Sequence, residues 1–457
     1  MSEASVRSIG VESVVARAAP SDVIARNSGI DLLRGLSILL VVVHHLGLRI
    51  PLKKTELAAF VPKRLLDALN YNGYESVFVF FTISGFLIAG HALRRWGRLE
   101  RIDSRAFYAR RFARIMPCLL LLVFVLSVLH LIGFEDYLIA HANQSLPGAI
   151  SASLGLYLNW YEGHTGYLPG NWDVLWSLSI EEVFYIAFPI VCMLTRRTWI
   201  LASLLVVFAL SLPFTHAANV DNEIWQEKAY LPGMAAISMG VLAALVAARS
   251  TMPMRGYANL LCIVGAAGLA SILLIEDILW DTLHDGCLLL LTLSVACLLV
   301  GLQWRERMVA PRPLRGFGWL RSFGRLSYEI YLSHMFVVFG AVQLFKAWGG
   351  DKPHGWMWYL PVVALCWLLG ALVGKPNFDY LVGHLHGGEI KYGTFFTAVI
   401  NFVLIAAVVY FLLVLPSQYL MRRYHPTAAP PATKACPQCL GDIPVAATRC
   451  KFCTQPV

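Results

Sequence analysis

The sequence predicts an all-α protein, a polytopic bundle of about 10–12 transmembrane helices with a small cysteine-rich module at its C-terminal end. Three observations carry that prediction. First, 58% of the 457 residues are hydrophobic and 14% are charged, whereas a soluble domain carries about 25% charged residues. A chain of this composition cannot coat a water-facing surface, which excludes a soluble enzyme, a nucleic-acid-binding domain and a disordered scaffold. Second, the apolar residues fall in continuous runs close to the roughly 20 residues that cross a bilayer as a helix. They do not alternate as the strands of a membrane barrel would. Third, Lys and Arg are unevenly shared between the loops that join these runs.

The chain opens with a polar stretch, residues 1–26, that holds Arg7, Arg17 and Arg26 and no apolar core. It reads as part of a cytoplasmic tail (1–28) and not as a cleaved signal peptide. Candidate spans follow at 30–50, 75–93, 113–133, 174–194, 198–214, 231–248, 258–276, 286–303, 326–346, 357–374 and 394–416. With the N-terminus inside, the first five inner segments carry 21 Lys and Arg and the matching outer segments eight, the bias that orients membrane proteins. Much of the +9 net charge is thereby topological, and no nucleic-acid partner is needed to explain it. Eleven spans would leave the C-terminus outside, where thiols oxidise. An even number, ten or twelve, is therefore expected: either 357–374 is re-entrant or interfacial, or 147–160 also enters the membrane. The membrane domain is placed at 29–423, a Pro/Ala linker (YHPTAAPPATKA) at 424–435 and the terminal module at 436–457.

The ten cysteines divide in two. Cys118, Cys192, Cys262, Cys287, Cys297 and Cys366 sit singly in or beside apolar runs, as small packing residues do. Cys436, Cys439, Cys450 and Cys453 form two CxxC knuckles separated by ten residues. Paired knuckles present four thiolates to a tetrahedral zinc, and modules of this kind fold around the metal. CPQCLGDIPVAATRCKFC resembles a double-knuckle zinc ribbon, with two disulfide-prone pairs on an unstructured tail as the alternative. No catalytic acid stands beside it, so its expected role is structural, or that of a docking handle for a cytoplasmic protein.

Ionisable residues inside spans are costly and mark function. In the first span Asp31, Arg34 and His45 fall within about 60° of one another on a helix, and the stripe they form is about 20 Å long. His44 lies on a different face. Asp31 and Arg34 read equally as an i,i+3 ion pair, and a histidine in a span can be a satisfied core residue.

Five segments shift that balance: GIDLLRGLSILLVVVHHLG, FFTISGFLI (80–88), YARRFARIMP (108–117), LWSLSIEEVFY (175–185) and FGRLSYEIYLSH (323–334). In this order they resemble the bacterial acyltransferase-3 family, integral-membrane O-acyltransferases that decorate glycans. The resemblance covers residues 29–334, about two thirds of the chain. It implies that His45, eleven residues after Arg34, is the essential base, with His44 in a variable slot. Neutral imidazole can take a proton from a sugar hydroxyl as it attacks a thioester. It implies that Arg111 and Arg114, the family's Arg-x-x-Arg, hold the phosphates of an acyl-CoA donor at the cytoplasmic mouth, a task that suits guanidinium forks. Arg34 is assigned to the donor as well. Glu181 follows Trp176, Ser177 and Ser179 in the fourth motif, where it would orient His45 or bind the acceptor. Ser327, Tyr331 and His334 share a polar face in the last motif, and Tyr328 reads as an interface anchor.

The expected activity is transfer of an acyl group, taken to be acetyl, from cytoplasmic acyl-CoA to a glycan or lipid-linked saccharide on the far side of a bacterial cytoplasmic membrane. Both termini would face the cytoplasm, and membrane lipid would surround the bundle. The competing class is a translocase of acyl donors or polar lipids that uses the same Asp, Arg and His as a proton relay. Two departures from the family stand out. The segment before FFTISGF reads Glu75-Ser76-Val77-Phe78, and a Glu-x-Pro ending after the last span is replaced by SQYLMRRYHP (417–426). Residues 346–394 are also longer than usual for the family.

Overall fold

The computed structural model describes residues 27–218, 222–249, 255–308, 316–373, 383–385, 388–390, 433–439, 442–445 and 447–457. α1 (Ser28–Gly47) begins where Asn27 caps it: the Asn27 Oδ1 accepts from the amides of Gly29 (2.9 Å) and Ile30 (3.3 Å). Those amides have no partner within the helix and would otherwise be left without one. α2 (Lys63–Tyr71) is short and amphipathic, and α3 (Gly73–Trp96) runs back across the bundle. α4 (Ser104–Ile132) starts on Asp103, whose carboxylate accepts from Ala106, and ends on Gly133 in the left-handed conformation (φ 83°).

Three short helices follow, α5 (Leu146–Leu154), α6 (Leu158–Thr165) and α7 (Gly170–Asp173), and lead into α8 (Trp176–Thr195). α9 (Thr198–Leu210), α10 (Leu212–Ala217), α11 (Glu223–Lys228) and α12 (Tyr230–Arg249) come next. α13 (Arg255–Leu283), α14 (Gly286–Met308), α15 (Gly318–Arg325), α16 (Ser327–Ala347) and α17 (Tyr359–Val373) complete the bundle. Two small antiparallel pairs lie beyond it, β1 (Gly383–Leu385) with β2 (Gly388–Ile390), and β3 (Thr433–Ala435) with β4 (Asp442–Pro444).

Among the described residues, eight helical stretches are long and apolar enough to cross a membrane. Two further apolar helices are shorter, Thr198–Leu210 and Gly355–Ala371. Ten of the eleven expected spans therefore coincide with helices, and the eleventh, 394–416, lies outside the described residues, as do residues 1–26 and most of the linker. The described part of the segment 357–374 forms α17, 15 residues or about 22 Å of helix, and the residues after 373 lie outside those described. Residues 147–160 are taken up by α5 and the start of α6, of 9 and 8 residues, and neither can cross alone.

Burial separates centre from rim. The apolar windows of α12 and α3 are 72% and 67% buried, whereas those of α4 and α13 are 28% and 22% buried. The rim helices turn Phe124, Leu131, Ile263 and Val264 outward, the side chains that hydrocarbon would solvate. At the centre the helices touch backbone to backbone. A Cβ on Gly85 of α3 would lie 1.9 Å from the Ile237 carbonyl oxygen of α12, and one on Gly240 would lie 1.9 Å from that of Thr82. α1 and α15 meet in the same way, through Gly35 against Leu320 and Gly324 against Asp31. Lipid supplies no hydrophobic drive between helices, so close approach at small residues has to supply the attraction.

Where α13 breaks at Ile275 (φ −137°), Asn72 donates to the Leu273 carbonyl at 2.8 Å, which meets the requirement that no backbone acceptor be stranded in lipid. The glycine contacts give a test. Gly85→Ala should lower the stability of the purified protein by about 1–3 kcal/mol, read as a drop in thermal transition in detergent. Gly90→Ala, whose nearest foreign atom would be 3.7 Å away, should leave it unchanged.

Candidate active site

A cavity of about 510 Å³ opens between α1, α3, α4, α8, α14 and α16. Each wall is one helix face. On α3 it is Phe80, Ser84, Leu87, His91 and Arg94, spaced by four and three residues, so that one stripe turns inward. On α8 it is Ser177, Leu178, Glu181 and Tyr185, and on α1 Ile30, Asp31 and Arg34. Five arginines reach the cavity, Arg34, Arg94, Arg111, Arg114 and Arg325, against the carboxylates of Asp31, Glu181 and Glu329. The excess of guanidinium makes it a site for an anion with several acceptor oxygens.

Specific contacts fix this lining. Arg34 donates to the Ser327 Oγ at 2.7 Å, tying α1 to the first turn of α16. The Arg111 guanidinium lies 4.5 Å over the Tyr185 ring, and the Tyr185 hydroxyl donates to the Glu181 carboxylate at 3.2 Å while also contacting Ser84. Tyr328 lies on the cavity wall with its buried hydroxyl unpartnered among the described residues, a lining residue and not an interface anchor.

At the far end of the cavity Ser177 and Tyr331 meet, with their oxygens 2.6 Å apart. The Tyr331 hydroxyl donates its one proton to the Val174 carbonyl at 2.9 Å, so Ser177 is the donor between the two. Beyond this pair stand three imidazoles. The His334 ring is 5.7 Å from Tyr331 and 5.1 Å from His45, which is 5.2 Å from His44. His334 is 0% exposed, while His44 and His45 are partly accessible. Arg49 donates to the His45 carbonyl at 2.8 Å and lies 4.7 Å over the Phe339 ring. Nearby, the Lys228 ammonium, 2% exposed, is bound by Glu162 (2.9 Å) and Asp173.

The structure thus gathers Asp31, Arg34, Arg111, Arg114, Ser177, Glu181, Ser327 and Tyr331 around one cavity and sets His45 with His334 beyond its end. Glu181 is on the arginine side, with Tyr185 and Arg111, and not in contact with His45. Trp176 is a packing residue against Tyr74 and Phe81, and Ser179 bonds back to the Leu175 carbonyl at 3.4 Å; neither lines the cavity. Ser84, His91, Arg94, Tyr185, Gln303 and Arg325 were not singled out in the sequence. Three of them stand inside the quoted motifs, and the α3 stripe was legible as helical spacing. The Lys228–Glu162–Asp173 cluster had no such signal, because its members are distant in the chain.

Against this geometry, residues 27–375 match the family model described as an acyltransferase domain. The chain belongs to the acyltransferase-domain family. Its eight long apolar helices make it a multi-pass membrane member of that family. Residues 364–447 also match the model described as the large-conductance mechanosensitive channel. Curated relatives include the peptidoglycan O-acetyltransferase OatA of Listeria monocytogenes, 26% identical over 45% of this chain and 29% of that protein. The O-acetyltransferase OatA of Staphylococcus aureus is 28% identical over 36% of this chain and 24% of its own length. The chain therefore spans less than a third of either acyltransferase relative. No solved structure matches.

The tail cysteines form a separate centre. The Sγ atoms of Cys436, Cys439, Cys450 and Cys453 all lie within 4.8 Å of one another, with Cys436–Cys453 at 3.7 Å and Cys439–Cys450 at 3.6 Å. A tetrahedral ion with metal–sulfur bonds of about 2.3 Å needs sulfurs about 3.8 Å apart, so the cluster fits a small zinc-binding tail. The backbone amides of Cys453 and Phe452 aimed at its sulfur hold the Cys450 thiol down at about 6, which leaves a thiolate ligand at neutral pH. Cys450→Ser should abolish metal co-purifying with the protein, measured by elemental analysis. Metal retained by the unaltered chain should fall as pH is lowered below the range in which the free Cys450 thiol ionises, because protons then compete with the metal for the thiolate.

Proposed function

We propose that this acyltransferase moves an acetyl group from cytoplasmic acetyl-CoA to a hydroxyl of a cell-envelope glycan or lipid-linked saccharide, with His45 as general base. The observation that carries the reading is the cavity itself. It is rich in arginine at one end, and its other end stops at the Ser177–Tyr331 pair, next in line to the histidines. The names of the OatA relatives favour acetyl as the group and a peptidoglycan-type acceptor. The bias of Lys and Arg toward the inner loops supports a cytoplasmic arginine end, in a bacterial cytoplasmic membrane with both termini inside.

The chemistry follows from this layout. The donor's phosphates dock on Arg111 and Arg114, with Arg34 and its neighbours deeper in, and the narrow pantetheine arm lies along the cavity toward Tyr331. The thioester then comes within reach of an acceptor hydroxyl that enters from the histidine end. His45 removes the hydroxyl proton as oxygen attacks the acyl carbon, and the carbon–sulfur bond breaks to release the thiolate. The Ser177 and Tyr331 hydroxyls stand at the junction of the two spaces, where a developing oxyanion would take the Ser177 proton in exchange for the bond that Ser177 now makes to Tyr331. Tyr185 and Glu181 hold Arg111 in position. In the tail, four thiolates suit zinc in a structural role.

Purified protein in detergent, given labelled acetyl-CoA and peptidoglycan fragments, should form an ester; a translocase would form none. His45→Ala should lower turnover about 10²–10⁴-fold with expression intact. Arg114→Ala should raise the apparent KM for acetyl-CoA about tenfold, the loss of one charge-assisted hydrogen bond, with kcat little changed.

A further inference from the structure

His44 occupies the slot that the family motif leaves variable, and the chemistry proposed above gives it no task. Its surroundings are nonetheless built. The His44 Nδ1 is 2.9 Å from the backbone carbonyl of Asn70. A carbonyl only accepts, so Nδ1 carries the proton, and the lone pair of the neutral ring is on Nε2. That carbonyl is itself held in place. Asn70 is 1% exposed; its Oδ1 accepts from the Leu52 amide (2.7 Å) and its Nδ2 donates to the Tyr359 hydroxyl (2.9 Å). Tyr359 in turn donates to the Ile50 carbonyl at 2.7 Å. On its other side the His44 ring rests against α3, where a Cβ on Gly73 would lie 2.3 Å from the His44 Cγ. The ring is fixed in tautomer and in place before any substrate arrives.

His45 has two imidazole neighbours, and they differ in one decisive respect. His334 is 0% exposed; its Nδ1 is bonded to the Tyr331 carbonyl at 2.7 Å and its buried Nε2 has no partner among the described residues. A proton given to His334 has no way out to water. His44 is partly accessible and meets His45 edge to face, with centroids 5.2 Å apart and planes at 73°. The charged or titratable groups around His44 are His45 on its own helix, Arg49 in the turn that follows it, His334 on α16, and the Tyr359 hydroxyl behind Asn70. Among the described residues no carboxylate is hydrogen-bonded to the ring.

We propose that His44 is a proton-relay residue for His45: it takes on Nε2 the proton that His45 removes from the acceptor and releases it to water at the histidine end. The inference rests on the reading of His45 as the general base. In balance, the acceptor O–H bond breaks and its proton goes to His45; the O–C bond forms, the C–S bond breaks, and sulfur leaves with the electron pair. The thiolate takes a proton from water on the arginine side. His45 passes its proton to His44 and returns to the neutral form for the next cycle. His44 touches neither substrate, so its loss should slow turnover and leave binding alone.

The test uses the full chain in detergent with labelled acetyl-CoA and peptidoglycan fragments. His44→Asn keeps an N–H where Nδ1 stood, and so keeps the bond to the Asn70 carbonyl, but it carries no base. Its kcat should fall at least about tenfold, a smaller loss than the roughly 10²–10⁴-fold of a removed general base, with an unchanged KM for acetyl-CoA and an unchanged thermal transition. In His44→Gly, added imidazole should restore part of the lost turnover. Turnover at the unaltered level in His44→Asn, or a loss in His44→Gly that imidazole does not relieve, would overturn the relay. Retention of activity in His45→Ala would instead overturn the general-base reading, and the two failures are separately visible.

Discussion

The hydrogen bond between Ser177 and Tyr331 is the constraint around which the polar interior is arranged. It joins the start of α8 to the second turn of α16, and through the Val174 carbonyl it also holds the turn that precedes α8. On one side of it lie the cavity and its five arginines; on the other lie the imidazoles, with Arg49 bonded to the His45 carbonyl. Buried polar groups in a membrane bundle are tolerated only when each has a partner, and this pair satisfies itself without charge. An anionic donor and a neutral base can therefore occupy one bundle without sharing one electrostatic environment. Imidazolium surrounded by guanidinium would be disfavoured, and a base works only in its neutral form.

The helices that frame this division depend on the glycines. Gly35 and Gly324 bring α1 and α15 into backbone contact, and Gly85 and Gly240 do the same for α3 and α12. With these pairs in place, the second turn of α1 comes close enough to α16 for Arg34 to reach Ser327, and the α3 stripe from Phe80 to Arg94 faces inward. Side chains at these contacts would push the walls apart by more than a hydrogen bond can span.

Much of this was legible in the sequence. Long apolar runs name their own helices, and the motif residues Arg34, Arg111, Arg114, Glu181, Ser327 and Tyr331 do gather at one cavity. Periodicity also put Asp31, Arg34 and His45 on one face of α1. What periodicity cannot supply is depth and partner. Glu181 reads as a neighbour of His45 from its place near the start of α8, yet one turn of helix carries it past Ser177 to the arginine side, where Tyr185 takes it. Trp176 and Ser179 belong to the same motif but turn away from the cavity, because consecutive helical positions are 100° apart. Lys228, Glu162 and Asp173 come from three separate segments, and no local pattern relates them.

The last third of the chain is where the family pattern and the sequence part. The acyltransferase match ends at residue 375, and the channel match begins at 364. The segment 417–426, which stands in place of a Glu-x-Pro ending, lies beyond the first match, and the long stretch 346–394 straddles its end. The channel match takes in the expected span at 394–416, the linker and the first two tail cysteines, Cys436 and Cys439. Every residue that lines the cavity, and all three imidazoles, lie between Asn27 and His334. The proposed chemistry thus needs only the part of the bundle that α1, α3, α4, α8, α14, α15 and α16 enclose, and none of its groups belongs to the thiolate cluster.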